Sequence, residues 1–424
     1  MEHGSKTYRT YLEILQRELV SAMGCTEPIA VAYCAARARA ALGAEPERIE
    51  VQASGNVIKN VKSVVVPNTG GRRGIAAAAA IGVLGGDETA ELEVISRVPS
   101  EARERLADYL DKTPVTVAPV ESDCILDIIV TVYAGGSRAR VRIANEHANV
   151  VLVERDGETL FEKSPDQPQT AEDLPDYSLL TVEDICDFAA TCDVADIAPV
   201  LRRQLELNGA ISDEGLKNDY GANIGKVLLR TGEGVRIRAK ARAAAASDAR
   251  MNGCELPVVI CSGSGNQGIT ASLPVAEYAK ELGKSEEELL RALAVSNLVT
   301  LHAKNGIGRL SAYCGAVSAG AGAGAGIAWL CGGGEHAVIH TIVNALAITS
   351  GIVCDGAKSS CAAKIAMAVE AGIFGYEMYL SGQQFYGGDG LVVKGVENSI
   401  ASFSRLARVG MKETDQEIIR MMTE

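Results

Sequence analysis

The run Gly315-Ala-Val-Ser-Ala-Gly-Ala-Gly-Ala-Gly-Ala-Gly326 is the stretch on which the fold of this chain depends most. The surrounding pattern predicts a helix over 315–330, although glycine occupies positions 320, 322, 324 and 326. Each glycine inside a helix costs roughly 1 kcal/mol relative to alanine. Such a helix needs a compensating role, and its bare surface lets neighbouring backbones or a cofactor approach closely. We therefore predict a tightly packed helical core around it.

The composition supports this prediction and excludes some partners. The chain has 424 residues, which favours two or three domains, and hydrophobic residues make up 47% while aromatic residues make up only 4%. The net charge of −13 argues against nucleic acid and anionic membranes as partners, because both require basic patches. No long apolar run and no signal-peptide pattern is present. We expect a cytoplasmic protein with a small-molecule ligand, and a homodimer is compatible with the sequence.

The eleven cysteines divide into two groups. An odd number in a chain without a secretion signal makes a disulfide framework a poor explanation. Seven cysteines lie in apolar or amphipathic patterns and are predicted to be small buried residues: Cys34, Cys124, Cys186, Cys192, Cys254, Cys261 and Cys331. The other four stand beside glycine, serine, threonine or aspartate, which are typical of turns and helix starts. These are the candidates for chemistry: Cys25, Cys314, Cys354 and Cys361.

Cys25 lies in a break between two helical patterns, with Thr26 as a plausible N-cap and Pro28 in the first turn. The helix dipole and its free N–H groups favour a thiolate at such a position, so we predict a lowered pKa for Cys25. The residue would then serve as a base, a nucleophile or a ligand. A buried cysteine at a helix break is the alternative.

Two glycine-containing turns precede helices and could bind a substrate carboxylate on backbone N–H groups. The first includes Asn68 and Thr69 and leads into the helix that begins near Ile75. The second follows a short strand over 256–262 and contributes Ser262, Ser264, Asn266 and Gln267. Neither turn matches a phosphate-binding loop or a dinucleotide-binding pattern. Turns that serve only the fold are the alternative for both.

The fold class predicted from these patterns is α+β, with a mainly helical catalytic domain and a small inserted α+β domain. Residues 1–90 form the first part of the catalytic domain, with strands over 48–66. Residues 91–162 form the insertion, with a strand near 92–96 and hairpins further on, and its His147 is expected to be a surface or core residue. A polar, proline-containing linker follows, and residues 176–424 form the helical remainder.

Other residues near the helix ends allow acid–base or metal chemistry. Lys304, with His302, stands beside a glycine break and is a candidate acid–base group, although a solvated lysine is commoner. His336 and His340 do not form a zincin motif. The spacing Cys314-x39-Cys354-x6-Cys361 matches neither a paired zinc framework nor a ferredoxin run, but it could supply three thiolates to a [4Fe-4S] cluster with one open iron.

Several stretches, in order over nearly the whole chain, resemble the iron–sulfur L-cysteine desulfidases, which are related to the iron–sulfur L-serine dehydratase α-chain. They are Gly24-Cys-Thr-Glu-Pro-Ile-Ala30, Gly55-Asn-Val-Ile-Lys-Asn60, Pro67-Asn-Thr-Gly70, Ser262-Gly-Ser-Gly-Asn-Gln-Gly268, Tyr313-Cys-Gly315 and Cys354-Asp-Gly-Ala-Lys-Ser-Ser-Cys361.

The resemblance implies a [4Fe-4S] cluster held by Cys314, Cys354 and Cys361, with Cys25 linked to activity. The implied reaction is α,β-elimination of L-cysteine to sulfide, ammonia and pyruvate without pyridoxal phosphate. Cys25 is the first choice for the base and Lys304 the second. The implied substrate-binding residues are those of the two turns together with Asn56.

Two departures favour a desulfidase over a dehydratase. The dehydratases carry Ser-His-Thr-x-Gly-Pro where this chain has Gly24-Cys-Thr-Glu-Pro28, and some end in a cysteine that caps the cluster, whereas this chain ends Met421-Met-Thr-Glu424. An L-serine dehydratase remains the near alternative. A non-catalytic small-ligand-binding or scaffold protein is the alternative from another class.

Overall fold

The protein is mainly helical, as its many alanine and glycine residues predict. The structure is a computed structural model that describes residues 1–165, 175–308 and 310–423. The α-helices in these ranges are α1 (Lys6–Glu18), α2 (Thr26–Leu42), α3 (Gly55–Val61), α4 (Gly74–Gly85), α5 (Ser100–Lys112), α6 (Val182–Thr191), α7 (Val194–Lys217), α8 (Ile224–Thr231), α9 (Val235–Met251), α10 (Gly265–Glu281), α11 (Glu286–Asn305), α12 (Gly315–Leu330), α13 (Gly334–Thr349), α14 (Cys361–Leu380), α15 (Val396–Arg405) and α16 (Lys412–Thr423).

The strands form two sheets. They are β1 (Ser21–Met23), β2 (Arg48–Ala53), β3 (Val115–Pro119), β4 (Asp127–Ala134), β5 (Ser137–Ala144), β6 (Val150–Arg155), β7 (Glu158–Glu162) and β8 (Pro257–Val259). The larger sheet has the order β3-β2-β4-β5-β6-β7, in which only the β2–β3 pair is parallel. The smaller sheet is the antiparallel pair β1–β8. The α+β fold class predicted from the sequence is confirmed.

The alternating residues of the larger sheet explain its core. Val51 of β2, Val130 of β4 and Val141 of β5 stand opposite one another across the sheet, and all three are buried. Helices α2 and α4 cover this apolar face, so the sheet and its helices share one hydrophobic cluster. Strand β2 belongs to this cluster, which places it with the strands of 91–162 although it comes from the first ninety residues.

Helix α12 lies at the centre of the second core, as its glycines predict. A Cβ atom on Gly320 or Gly324 would lie 2.3 or 2.5 Å from a backbone oxygen of α14. A Cβ atom on Gly322 or Gly326 would lie 2.5 or 2.9 Å from a backbone oxygen of α11. The four glycines therefore alternate between two neighbouring helices, and each lets a backbone approach that any side chain would prevent.

Two local predictions are wrong. The strands expected over 48–66 are β2 followed by α3, because Val57 and Val61 are spaced for one face of a helix and both are buried. The strand expected near 92–96 is a 3₁₀ helix over Glu91–Glu93 followed by turns. The predicted linker lies largely outside the described residues.

The cysteines keep most of their predicted environments. All eleven are free thiols, and five of the seven expected in the core are buried. Cys124 is half-buried, and Cys331 is exposed because it caps the C-terminus of α12 rather than continuing its buried face. Within the described ranges, no helix combines the length and the apolar character needed to cross a lipid bilayer.

Candidate active site

The β1–β8 pair brings together two segments that are far apart in the sequence. Ala22 of β1 stands opposite Val258 of β8 in this antiparallel pair, so the segment that leads to Cys25 lies beside the segment that leads to Ser264. The Thr26 hydroxyl donates a hydrogen bond to the Gly263 carbonyl at 3.0 Å. Cys25 is the N-cap residue of α2, and Ser264 is the N-cap residue of α10. The starts of these two helices are therefore held side by side.

A second bridge aligns two of the predicted cluster cysteines. Tyr313 pairs with Val353 in an isolated antiparallel bridge. The Cys354 amide donates to the Ala312 carbonyl at 2.6 Å, and the Cys314 amide donates to the Ile352 carbonyl at 3.1 Å. Cys314 is the N-cap residue of α12, and Cys361 is the first residue of α14. The close crossing of α12 and α14 thus places the third cysteine beside the other two.

These helix starts surround one cavity of about 100 Å³. Its wall includes eight of the residues predicted from the sequence to act in catalysis, substrate binding or metal binding: Cys25, Ser264, Asn266, Gln267, Lys304, Cys314, Cys354 and Cys361. Lys304 is buried there at the last turn of α11. Because α2, α10, α12 and α14 all begin at this cavity, the positive ends of four helix dipoles favour an anion inside it.

The wall of the cavity also contains Arg250, a cationic residue that the sequence did not predict. It lies at the end of α9, is 2% exposed, and donates a hydrogen bond to Asn266 Oδ1 at 3.1 Å. Its Nε atom is buried with no hydrogen-bond partner. A Cβ atom on Gly265 would lie 2.4 Å from this Nε, so the glycine is what makes room for the guanidinium.

Other polar atoms of the wall also lack hydrogen-bond partners. They are Asn60 Oδ1, Gln267 Oε1 and the Tyr313 hydroxyl, which are all buried. An unpaired buried polar group costs free energy of about 1–3 kcal/mol. Together with Arg250 Nε, these atoms supply both donors and acceptors around one small space. This is the arrangement expected of a site for a small polar ligand.

The environment of Cys25 differs from the prediction. The sequence predicts a lowered pKa, but burial and then the neighbouring Glu27 carboxylate raise the pKa of the Cys25 thiol well above its ordinary value. The thiol donates a hydrogen bond to Glu27 Oε2 at 3.0 Å. The helix dipole does not prevail here because the thiol is almost completely buried beside an anion. Cys25 is therefore a protonated hydrogen-bond donor in the resting protein.

Glu27 is held by groups from a helix and from the larger sheet. Asn60 donates to its Oε1 at 3.0 Å, and His147 Nε2 lies 3.8 Å from the same oxygen. Burial opposes ionisation of Glu27, but His147 and the Cys25 thiol hold its pKa well below the usual range. His147 comes from the turn between β5 and β6 and is 5% exposed, so the core alternative for this histidine is correct. Through this turn, the larger sheet also contributes to the site.

The three clustered cysteines suit a cationic iron–sulfur core. Burial raises the pKa of Cys314 to about 12, with Cys354 as the next cause, and burial likewise raises the pKa of Cys361. Three thiols in one cavity ionise together only when a cation compensates them. The four helix starts, Lys364 near Cys314 and Cys361, and Arg250 suit the remaining negative charge of a thiolate-ligated cluster. Across the described parts of the chain, no three His, Cys, Asp or Glu side chains converge as ligands of a single metal ion.

Four predicted substrate-binding residues do not line the cavity. Asn68 donates to the Ile95 carbonyl and so fixes the turn to a distant segment, whereas the Thr69 hydroxyl donates to the Val66 carbonyl within the turn itself. Asn56 donates to Asp415 of α16 at 2.9 Å. Ser262 has a positive φ of 50° and shapes the turn before α10. Asn56, Asn68 and Thr69 make these contacts within the fold, and none of the four residues is part of the cavity wall that contains Cys25.

The residues that the sequence analysis missed carry weak local signals. Arg250 ends a helix whose other charges resemble a solvated face, although eleven of its neighbours in α9 are also buried. Glu27 follows Cys25 in the sequence segment already singled out, and Asn60 lies in another such segment. The acidic side chain of Glu27, two positions after a candidate catalytic cysteine, was the available signal. His147 offered none, because its partner is 120 positions away in the chain.

Comparisons with known proteins agree with this architecture. Residues 89–420 match the family described as the serine dehydratase alpha chain. A UPF0597 protein of Desulfitobacterium hafniense is 56% identical over 423 residues, covering 100% of this chain and 98% of that protein. UPF0597 proteins of Lachnoclostridium phytofermentans and Treponema denticola are 49% and 45% identical, each covering 98% of this chain and 99% and 98% of those proteins. The chain therefore belongs to the serine dehydratase alpha chain family.

Proposed function

We propose that the protein is an L-cysteine desulfidase, a carbon–sulfur lyase that works without pyridoxal phosphate. The observation that carries the proposal is one cavity whose wall contains Cys314, Cys354 and Cys361 together with Cys25 and a buried arginine. The products are hydrogen sulfide, ammonia and pyruvate. All eleven cysteines are free thiols, which suits a reducing cytoplasmic location.

The three cysteines are proposed to hold a [4Fe-4S] cluster. When bound, the cluster would supply an open iron as a Lewis acid for the leaving sulfur, since thiolate is a soft ligand that suits iron–sulfur sites. The remaining roles belong to the side chains of this chain. Arg250 lines the cavity and its guanidinium has an unpartnered Nε, and we assign this residue to the substrate carboxylate.

The amide and hydroxyl groups at the start of α10 are proposed to orient the amino acid. Gln267 Oε1 is a buried acceptor without a partner, and it suits the substrate ammonium. Ser264 and Asn266 stand on the same wall. A Cβ atom on Gly315 would lie 2.7 Å from the Gln267 side-chain carbon, so this glycine at the start of α12 makes room for the amide.

The Cys25–Glu27 pair is proposed to accept the Cα proton. The Cys25 thiol is protonated at rest, so it cannot act as a base alone. A balanced route moves the Cα proton to Cys25 Sγ while the original thiol proton passes to Glu27 Oε2, 3.0 Å away. The Cα–H and Cβ–S bonds break, the sulfur leaves as hydrosulfide with the electron pair of the Cβ–S bond, and a Cα=Cβ bond forms. Water then hydrolyses the resulting aminoacrylate to ammonia and pyruvate. Lys304 on the same wall is the second candidate for this proton.

L-Serine dehydratase is the second candidate function, because the matched family carries that description. The proposal that L-cysteine is the substrate, and not L-serine, rests on the leaving group and on the residues of the cavity wall. A thiol with a pKa near 8.5 leaves as an anion far more readily than a hydroxyl. The wall of the cavity contains no histidine among its described residues, so a departing hydroxide has no imidazolium donor there.

The test is anaerobic reconstitution with iron and sulfide, followed by metal analysis and pyruvate assays. We expect bound iron and sulfide, and faster pyruvate release from L-cysteine than from L-serine at matched concentrations. Equal or faster turnover of serine would assign the dehydratase activity instead. Protein that binds neither iron nor sulfide would favour a non-catalytic ligand-binding role.

Single variants separate the roles of the cysteines. Cys314→Ser, Cys354→Ser and Cys361→Ser should each lose iron, whereas the exposed Cys331→Ser should keep both iron and turnover. Cys25→Ser should keep its iron and lose turnover by roughly 10²–10⁴-fold. Loss of iron in Cys25→Ser would make Cys25 a ligand, and full activity would remove it from the mechanism.

A further inference from the structure

A second cavity lies at the other side of the last turn of α11. Its volume is about 460 Å³, against about 100 Å³ for the cavity with the cysteines. Three parts of the chain surround it: the 3₁₀ helix Tyr177–Leu179, the end of α11, and α15 with the π-helical turn Leu406–Gly410 that follows. We call it the α11–α15 cavity. Short π-helical segments are rare and occur frequently at functional sites.

One end of the α11–α15 cavity is cationic. Arg405 and Arg408 both line it, and both are exposed. In the parts of the chain that the structure describes, neither guanidinium lies within 4.0 Å of a carboxylate. Arg405 is the last residue of α15, and Arg408 lies three positions later in the π-helical turn. The two guanidinium groups form a site suited to a carboxylate.

The other end is anionic. Glu397, at the start of α15, accepts a hydrogen bond from the Val182 amide at 2.8 Å and lies 2.6 Å from His302 Nε2. Burial opposes ionisation of Glu397, but the hydrogen bonds from His302 and Val182 lower its pKa. The C-terminal end of α11, at Asn305 and Gly306, also faces the cavity with the negative end of its dipole.

The two ends are separated by a distance that side chains can span. Glu397 and Arg405 are eight residues apart on α15, which corresponds to about 12 Å along the helix axis. Ile400 and Leu180 supply an apolar wall between the ends. Pockets of about 300–1,000 Å³ with such mixed walls are typical small-molecule sites.

We propose that the α11–α15 cavity is a second ligand site, which binds a small zwitterion of the α-amino-acid class. The carboxylate contacts Arg405 and Arg408, and the ammonium lies toward Glu397 and the end of α11. The site is separate from the cavity of the cluster cysteines, but the same turn of α11 carries His302 toward one cavity and Lys304 toward the other. A ligand bound here therefore contacts the element that positions Lys304.

The test measures binding of individual proteinogenic L-amino acids to the reconstituted protein under anaerobic conditions. Amino acids that release no pyruvate are the probes, so that turnover does not consume them. The variants are Arg405→Ala/Arg408→Ala and, as a matched control, Arg203→Ala, which removes an exposed arginine of α7. Melting temperature identifies a binding amino acid, and titration calorimetry then measures its Kd.

We expect at least one such amino acid to raise the melting temperature of the wild-type protein and of Arg203→Ala equally. The double alanine variant should weaken its Kd about tenfold or more, and Arg405→Lys/Arg408→Lys should recover part of the loss. The same difference should persist in iron-free Cys314→Ser protein, because the α11–α15 cavity contains none of the cysteines. The proposal is overturned if no amino acid stabilises the wild type, or if all variants bind it equally.

Discussion

Arg250 carries a positive charge into the interior of the protein, at the wall of the cavity that contains the cysteines. The residue is 2% exposed, its guanidinium donates to Asn266, and the absence of a side chain at Gly265 is what allows the guanidinium to lie there. A buried cation is costly unless it is paired, and the described structure leaves its Nε without an acceptor. The substrate carboxylate is the group that would complete this pairing.

The first prediction is that Arg250→Lys weakens substrate use without affecting the cluster. A lysine keeps the charge but loses the planar pair of donors that matches a carboxylate. We expect kcat/KM for L-cysteine to fall about 10- to 100-fold, mainly through a higher KM, with unchanged iron content. The measurements are steady-state pyruvate release and iron analysis. An unchanged KM would assign Arg250 to a structural role.

A second variant displaces the Arg250 guanidinium instead of replacing it. Gly265→Ala places a Cβ atom 2.4 Å from Arg250 Nε and should displace the guanidinium without removing it. Its KM should rise in the same direction as that of Arg250→Lys. A normal KM in Gly265→Ala together with a raised KM in Arg250→Lys would show that the position of the guanidinium matters less than its shape.

At the scale of the element, α12 links the packing of the core to the geometry of the cysteines. Its N-cap residue is Cys314, and the first residue of the helix that crosses it, α14, is Cys361. Gly324 of α12 and Gly372 of α14 meet at this crossing, where a Cβ on either would lie 2.5 Å or less from a backbone oxygen. The interhelical distance therefore depends on glycine at both positions.

The second prediction concerns Gly324→Ala. Overpacking of this crossing should lower the free energy of unfolding by about 3 kcal/mol, and separation of the helices should lower the iron content. Gly209→Ala in α7 is the control, because a Cβ there meets nothing within 4 Å. That variant should be more stable than the wild type by about 0.5–1 kcal/mol. Urea denaturation and iron analysis measure both effects, and equal stability of the two variants would contradict the prediction.

This helix also shows what sequence reasoning could reach. The cost of glycine within a helix predicts a close approach of neighbouring backbones, and the structure has one on each side of α12. The turn setting of Cys25, Cys314, Cys354 and Cys361 singles out the four thiols that share a cavity. Both inferences use rules about helix propensity and turn residues, and these rules depend only on the local sequence.

At the scale of the whole molecule, the same local rules miss what distant segments contribute. The helix dipole alone predicts a thiolate at Cys25, whereas burial and the Glu27 carboxylate reverse the direction of the pKa shift. Arg250 resembles a solvated charge until α9 is seen packed against α10 and α14. Asn68 and Thr69 have suitable side chains for a substrate, but Asn68 donates to the Ile95 carbonyl of a distant segment and Thr69 donates to the Val66 carbonyl of its own turn.

The larger sheet contributes to the site through the turn between β5 and β6. His147 extends from between β5 and β6 to within 3.8 Å of Glu27 Oε1. The turn is held by Asn149, whose side chain donates to the Ala144 carbonyl at 2.8 Å. Because His147 helps to keep the pKa of Glu27 low, the ionisation of the proposed proton acceptor depends on how the sheet is placed against the helices.

The last prediction is that His147→Leu moves the acidic limb of the pH–rate profile to higher pH. Glu27 must be ionised to accept the proton from Cys25, and its pKa in the folded protein is depressed. Removing His147 should raise that pKa, so activity is lost at a higher pH as the solution is acidified, while the iron content stays unchanged. His147→Gln keeps a side-chain donor and should shift the limb less, and His3→Leu, at an exposed histidine, should not shift it at all. The measurement is kcat/KM for L-cysteine as a function of pH, and an acidic limb that stays in place in His147→Leu would remove the sheet layer from the proton transfer.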